Sequence, residues 1–235
     1  MVKAVCFDLF HTLVDVGQAP GTPGRYTADI LGLDREEWNA ACFRDVHDIC
    51  WPTDHREVVR EMAHSLDASI PLELIHTAAD ERKGRFDFTL RNIPPDVLDV
   101  LVQLRQRDLK LALISNASTG EVDSWPDSPL AEMFDVAVFS CECGHAKPNP
   151  GIYEHTLAQL QLDARHCLFV GDGGSHEHAG ASAVGMHTVL LTHWVKHRLQ
   201  PEALLQRREH CRDEITHLGD LPALLDRLVS NLGTM

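Results

Sequence analysis

Four short apolar runs in this chain end in, or lead to, groups able to do chemistry. Val2 to Phe7 stops at Asp8, within Asp8-Leu9-Phe10-His11-Thr12. Leu109 to Ile114 stops at Ser115-Asn116, and Val136 to Phe139 leads to Lys147-Pro148. Cys167 to Val170 stops at Gly171-Asp172, with Glu177 close behind. A carboxylate serves as a nucleophile or as a ligand for a hard cation. A hydroxyl donates to an anionic oxygen, and an ammonium neutralises developing negative charge. Chance places one such group at the end of an apolar run; four in this order form a constellation.

The elements that must position these groups alternate. Val2–Phe7, Leu109–Ile114, Val136–Phe139, Cys167–Val170 and Thr188–Leu191 read as short buried strands. Asp96–Arg107, Ile152–Leu160 and Glu177–Val184 read as helices between them, and Pro201–Glu209 and Leu221–Leu228 as closing helices. This alternation predicts an α/β fold, a parallel sheet covered on both faces. Ligands of such sheets bind beyond the carboxyl ends of the strands. Between Val16 and Phe86 no strand-like run occurs. Gly17–Gly24, with three glycines and two prolines, is a loop. Tyr26–Leu31, Glu36–Cys50, Glu57–Leu66 and Leu72–Arg85 read as helices, with Asp34 as an N-cap. The predicted organisation is a core over 1–14 and 90–235 with an all-helical insert over 15–89.

The 235 residues carry 21 Lys and Arg against 35 Asp and Glu, a formal net charge of −14. So acidic a chain repels a phosphate backbone and anionic lipid, which argues against nucleic acid or membrane as the main partner. An anionic substrate therefore needs a local cation or a few aimed donors. No apolar run approaches the ~20 residues of a membrane span. Met1 to Asp8 is too short and too soon charged for a signal peptide. The seven cysteines, an odd number without a Cys-x-x-Cys pair, predict free thiols and a cytoplasmic setting.

Taken in order, the motifs resemble those of the haloacid dehalogenase superfamily of hydrolases. The resemblance is carried by Phe7-Asp8-Leu9-Phe10-His11-Thr12-Leu13, Leu113-Ile114-Ser115-Asn116, Lys147-Pro148-Asn149-Pro150, and Val170-Gly171-Asp172 with Glu177 and Gly180-Ala181. It implies a Rossmann-like core and a helical C1-type cap that closes over the site. It implies Asp8 as the nucleophile of an aspartyl-phosphate, with Ser115 and the Asn116 amide holding a phosphoryl oxygen. Lys147 neutralises charge, and Mg²⁺ is held by Asp8, the Phe10 carbonyl and Asp172, with Glu177 where relatives usually carry Asp. The implied substrate is a small phosphorylated metabolite, recognised by cap residues drawn from Arg25, Tyr26, His47, Trp51, Arg82 and Arg85. The implied assembly is a monomer or homodimer.

One residue departs from the pattern. Most phosphatases of this family carry a second Asp two residues after the nucleophile, and here that place holds Phe10. Phe cannot move a proton, and general acid–base help is worth about 10²–10⁴ in rate. Three readings stay open. In the first, a phosphatase or phosphotransferase uses His11, or a cap residue such as Asp15 or His47, as its acid/base, or acts on a substrate whose low-pKa leaving group, as in an acyl or anomeric phosphate, needs less protonation. In the second, a metal-free dehalogenase-like enzyme attacks carbon, with Arg25 near the halide. In the third, a faded domain binds a ligand or partner. Gly171-x-Gly173 lacks the third glycine of a dinucleotide loop. Cys141-x-Cys143-x-His145 is too tightly spaced for the usual zinc sites. His176 and His178 do not share a helix face, and Cys6 reads as a buried structural thiol.

Overall fold

The computed structural model describes residues 1–16, 21–42 and 50–232. Strands β1 (Ala4–Phe7), β2 (Lys110–Ser115), β3 (Val136–Phe139), β4 (Cys167–Gly171), β5 (His187–Leu191) and β6 (Asp213–Ile215) form one sheet in the order β3-β2-β1-β4-β5-β6. Every pairing is parallel, which requires a crossover between successive strands. The helices are α1 (Thr27–Leu31), α2 (Arg35–Ala41), α3 (His55–Leu66), α4 (Leu72–Arg91), α5 (Pro95–Arg105), α6 (Thr119–Val122), α7 (Ser140–Cys143), α8 (Pro150–Leu160), α9 (Glu177–Ala183), α10 (Pro201–Arg208) and α11 (Leu221–Leu232). This is the expected Rossmann-like α/β core.

The strands alternate their side chains between two apolar layers, as the period of two requires. Val5, Phe7, Leu111, Leu113 and Val170 pack with Leu101 and Leu104 of α5 and Leu221 and Leu224 of α11. Cys6, Ala112, Ile114 and Phe169 pack on the other face with Ile152 and Tyr153 of α8 and Ala181 of α9. Each fully buried Leu or Phe contributes about 1.5–3 kcal/mol over an exposed one. With both faces filled, the polar residues that follow the strands are left to the carboxyl edge. Cys6 is fully buried in the second layer, as a structural thiol should be.

A third, separate cluster joins Ala28, Ile30 and Leu31 of α1, Trp38 of α2, Val58, Val59 and Met62 of α3, and Ile75, Ala78 and Ala79 of α4. Asp34 caps α2, its Oδ1 accepting the Glu36 and Glu37 amides at 2.8 and 3.0 Å. Several elements differ from the sequence reading. The helix expected over Glu36–Cys50 is α2, ending at Ala41; 43–49, which include His47, lie outside the described residues, as do 17–20 of the glycine-rich loop. Helix α4 runs through Gly84 and past Arg85 to Arg91, with Arg85, Thr89 and Leu90 buried, and ends before Pro94-Pro95. Its Leu90 belongs to the first sheet layer, so one helix runs across the 89/90 division. Strand β6 was not foreseen: Asp213-Glu214-Ile215 has one apolar residue, and it is held by pairing with β5. No helix among the described residues is long and apolar enough to cross a membrane.

Candidate active site

The tips of β1 and β4 are neighbours, and the Asp8 amide donates to the Val170 carbonyl at 3.0 Å. This brings the carboxylates of Asp8, Asp172 and Glu177 together, with one oxygen of each within 4.8 Å of the others. Lys147 reaches in from the loop after β3. Its Nζ donates to Asp8 Oδ1 at 2.5 Å and to Glu177 Oε2 at 2.6 Å. Thr12 donates to the other Asp8 oxygen at 2.9 Å. Burial works against the Lys147 charge, but the Asp8 and Glu177 carboxylates outweigh it and hold the ammonium well above the usual lysine range. Burial pushes the Glu177 carboxyl up to about 8, against the pull of Lys147 and with Asp8 and Asp172 adding to the rise.

Local structure explains why these side chains point here. A reciprocal clasp ties the loop after β3 to the end of β2: the Lys147 amide donates to Asn116 Oδ1 at 2.7 Å, and Asn116 Nδ2 donates to the Lys147 carbonyl at 3.0 Å. Ser115 is fully buried as the last residue of β2, its hydroxyl 3.4 Å from the Asn116 carbonyl. Glu177 opens α9, where its Oε1 accepts the Gly173 amide at 2.8 Å. Gly171 lets that carboxylate lie close: a Cβ there would sit 2.1 Å from Glu177 Oε1. His11, Ser175 and His176 have φ of 62°, 50° and 51°, so the loops on this edge hold three non-glycine residues in the left-handed region.

A family model described as haloacid dehalogenase-like hydrolase matches residues 2–185. The chain belongs to this hydrolase family. It is 30% identical over 255 aligned positions to the glyceraldehyde 3-phosphate phosphatase of Pyrococcus abyssi, covering 96% of this chain and 94% of the relative. It is 33% identical over 126 residues to haloacid dehalogenase-like hydrolase domain-containing protein 3 of Bos taurus, covering 51% of this chain and 47% of the relative. That match spans about half the length of the bovine protein. Among solved structures, the 2-haloacid dehalogenase of Pseudomonas syringae pv. tomato DC3000 is similar at a TM-score of 0.63 and 25% identity, covering 97% of this chain and 100% of the other.

Around the shared motifs of this hydrolase lie residues of its own. The Phe10 ring meets Phe86 of α4 edge to face, with centroids 5.2 Å apart, and the Arg82 guanidinium lies 4.7 Å over the Phe86 ring. Arg82 pairs with Glu121 of α6 at 2.5 Å, both largely buried. His11 Nδ1 donates to Asp15 Oδ1 at 3.0 Å, and Arg198 grips Asp15 through both guanidinium nitrogens. Burial lowers the His11 pKa, but the Asp15 bond and the charges of Asp172, Asp15 and Asp8 outweigh it and raise the ring above its usual value.

Arg25 and Trp51 are not among the residues brought together. The Arg25 side chain is 64% exposed and pairs with Glu81 at 3.2 Å. Trp51 is 65% exposed, and its ring lies 3.9 Å from the Cβ position of Gly144. Arg85 is turned inward to the Arg25 carbonyl and the Thr27 hydroxyl, which braces α4 against the start of α1. His178 donates inward to the Val189 carbonyl at 3.0 Å. Arg207 is a site residue that sequence reasoning missed. Its Nη1 donates to Asp172 Oδ2 at 2.5 Å, yet nothing in Gln206-Arg207-Arg208 marks it out from other surface arginines.

Proposed function

We propose that this hydrolase is a Mg²⁺-dependent phosphatase acting on a small phosphorylated metabolite through an aspartyl-phosphate on Asp8. The observation that carries the reading is the buried set of three carboxylates around one ammonium. An all-oxygen donor set of this charge fits a hard divalent cation. Asp8, the Phe10 carbonyl and Asp172 would hold it, with Glu177 in the same cluster. When bound, Mg²⁺ supplies charge stabilisation at the phosphoryl group and relieves the repulsion between a carboxylate and an anion.

The chain's own residues do the rest. Asp8 attacks phosphorus, forming one P–O bond as the ester P–O bond breaks. Ser115 and the Asn116 backbone amide hold a phosphoryl oxygen, and Lys147 neutralises charge on Asp8 and on the transferring group. His11, oriented by Asp15, takes the place that Phe10 leaves: it protonates the leaving oxygen, then accepts a proton from the hydrolytic water. The helices between 15 and 89 act as the cap that selects the substrate, with Arg25 and Trp51 on its outer parts. Lid motion over the site is the usual way such caps gate access. The relative named as a glyceraldehyde 3-phosphate phosphatase supports a small phosphate ester as the substrate class. The free thiols suit a cytoplasmic protein, acting as a monomer or homodimer.

A second reading has its own support. An aromatic residue at position 10 and the likeness to a 2-haloacid dehalogenase favour attack on carbon. A panel of small phosphate esters and 2-haloacids, each with Mg²⁺ and with chelator, separates the two. Phosphate release that chelator abolishes is the expected result. Halide release indifferent to chelator would replace this reading with the second, and inertness towards both sets would replace it with a binding role.

A further inference from the structure

Asp172 is held from two sides. Its Oδ1 accepts the Gly174 amide at 2.9 Å, a bond fixed by the loop backbone. Its Oδ2 and its carbonyl oxygen both accept from one nitrogen, Nη1 of Arg207, at 2.5 and 2.6 Å. Arg207 belongs to α10, which connects β5 to β6, and β5 lies beside β4 in the sheet. A side chain from outside every family motif thus reaches across β5 to the tip of β4. Its stem lies along the loop: a Cβ on Gly173 would meet Arg207 Cβ at 2.8 Å.

The charges divide in a telling way. Lys147 contacts Asp8 and Glu177, and Arg207 contacts Asp172. Each carboxylate of the cluster therefore has a protein cation on one oxygen. The two cations differ in freedom. The Lys147 side chain is 3% exposed, clasped through its backbone to Asn116, whereas the Arg207 side chain is 22% exposed. Arginine stays charged at every working pH, so protonation does not release this contact. Rotation of its long side chain towards solvent does.

We propose that Arg207 is a tethered counter-cation that competes with the divalent ion for Asp172 Oδ2, so that metal binding is coupled to release of the α10 side chain from the tip of β4. The proposal rests on reading the acidic cluster as a metal site. It makes Arg207 a positioning residue: it keeps the Asp172 carboxylate aimed and neutralised until the ion arrives, at a cost in ion affinity.

The test is calorimetric titration of Mg²⁺ into the whole chain without substrate, for the wild type, Arg207→Gln, Arg207→Ala and Asp172→Asn. Thermal melts check that each is folded. Arg207→Gln keeps the stem against Gly173 and removes the charge, so it carries the test where the alanine variant fails to fold. The expected result is Mg²⁺ binding about fivefold tighter in the Arg207 variants, as for loss of one partly exposed ion pair, and loss of binding in Asp172→Asn. Wild-type or weaker affinity in folded Arg207 variants would overturn the competition and leave the metal site standing. No binding by wild type and Arg207 variants alike, at millimolar Mg²⁺, would overturn both.

Discussion

At position 10 a phenyl ring stands where a proton-transferring carboxylate is usual, and it makes an edge contact with Phe86 of α4. Such a pair is worth about 0.5–1.5 kcal/mol beyond its burial. The ring therefore joins the loop after β1 to α4, and under the proposed function proton transfer falls to another residue. Two substitutions test this division of labour. Phe10→Asp should raise phosphate release from an alkyl phosphate by about 10-fold or more while lowering the melting temperature. No gain in a folded variant would remove the assignment of this position. His11→Gln should slow hydrolysis of an alkyl phosphate by about 10²-fold or more, and that of an activated aryl phosphate much less, since a good leaving group needs little protonation. Equal losses on both substrates would show that His11 is not the acid. Asp8 and Ser115 were legible in the sequence because each ends an apolar run, and Lys147 because it follows the third such run within a motif in a fixed order. Arg207 was not, because its role comes from β5 lying beside β4, a fact of sheet order and not of local pattern.

Among the elements, α4 does the most to relate the helical layer to the sheet. It carries apolar residues of the separate cluster at Ile75, Ala78 and Ala79, then gives Leu90 to the sheet. Between these, Arg82 pairs with Glu121 and Lys83 with Asp123, both beyond the tip of β2. The Arg82–Glu121 pair is largely buried, so removing one partner strands a charge. Arg82→Met should cost about 3 kcal/mol in urea unfolding, and adding Glu121→Gln should recover most of it. A single-variant loss under about 0.5 kcal/mol would mean that the pair is solvated and does not hold the layers together. The helices of this region were legible from their charged faces and from the lack of any strand-like run. The extent of α4 was not: a residue pattern shows where periodicity weakens, as it does after Arg85, but a helix continues until a breaker such as Pro94 stops it. Strand β6 was illegible for the converse reason. Three residues with two acids form a strand only because β5 supplies the hydrogen bonds.

The whole molecule carries fourteen more negative than positive formal charges, yet it belongs to a family in which phosphate esters are substrates of several relatives. Its charge distribution offers a resolution. The acidic excess is general, whereas at the strand tips two protein cations, Lys147 and Arg207, face three carboxylates and leave the cluster with one net negative charge when all are ionised. Under the proposed function, a divalent ion that displaces Arg207 removes that net charge and puts a cation at the edge of the sheet for an anion to meet. The central claim is that Asp8 then bonds to phosphorus. Intact-mass analysis after mixing the protein with acetyl phosphate and Mg²⁺ tests it most directly. A phosphoryl adduct is expected on the wild type, absent from Asp8→Asn and absent with chelator. An adduct of equal yield on Asp8→Asn, or none on a wild type that also releases no phosphate, would contradict it.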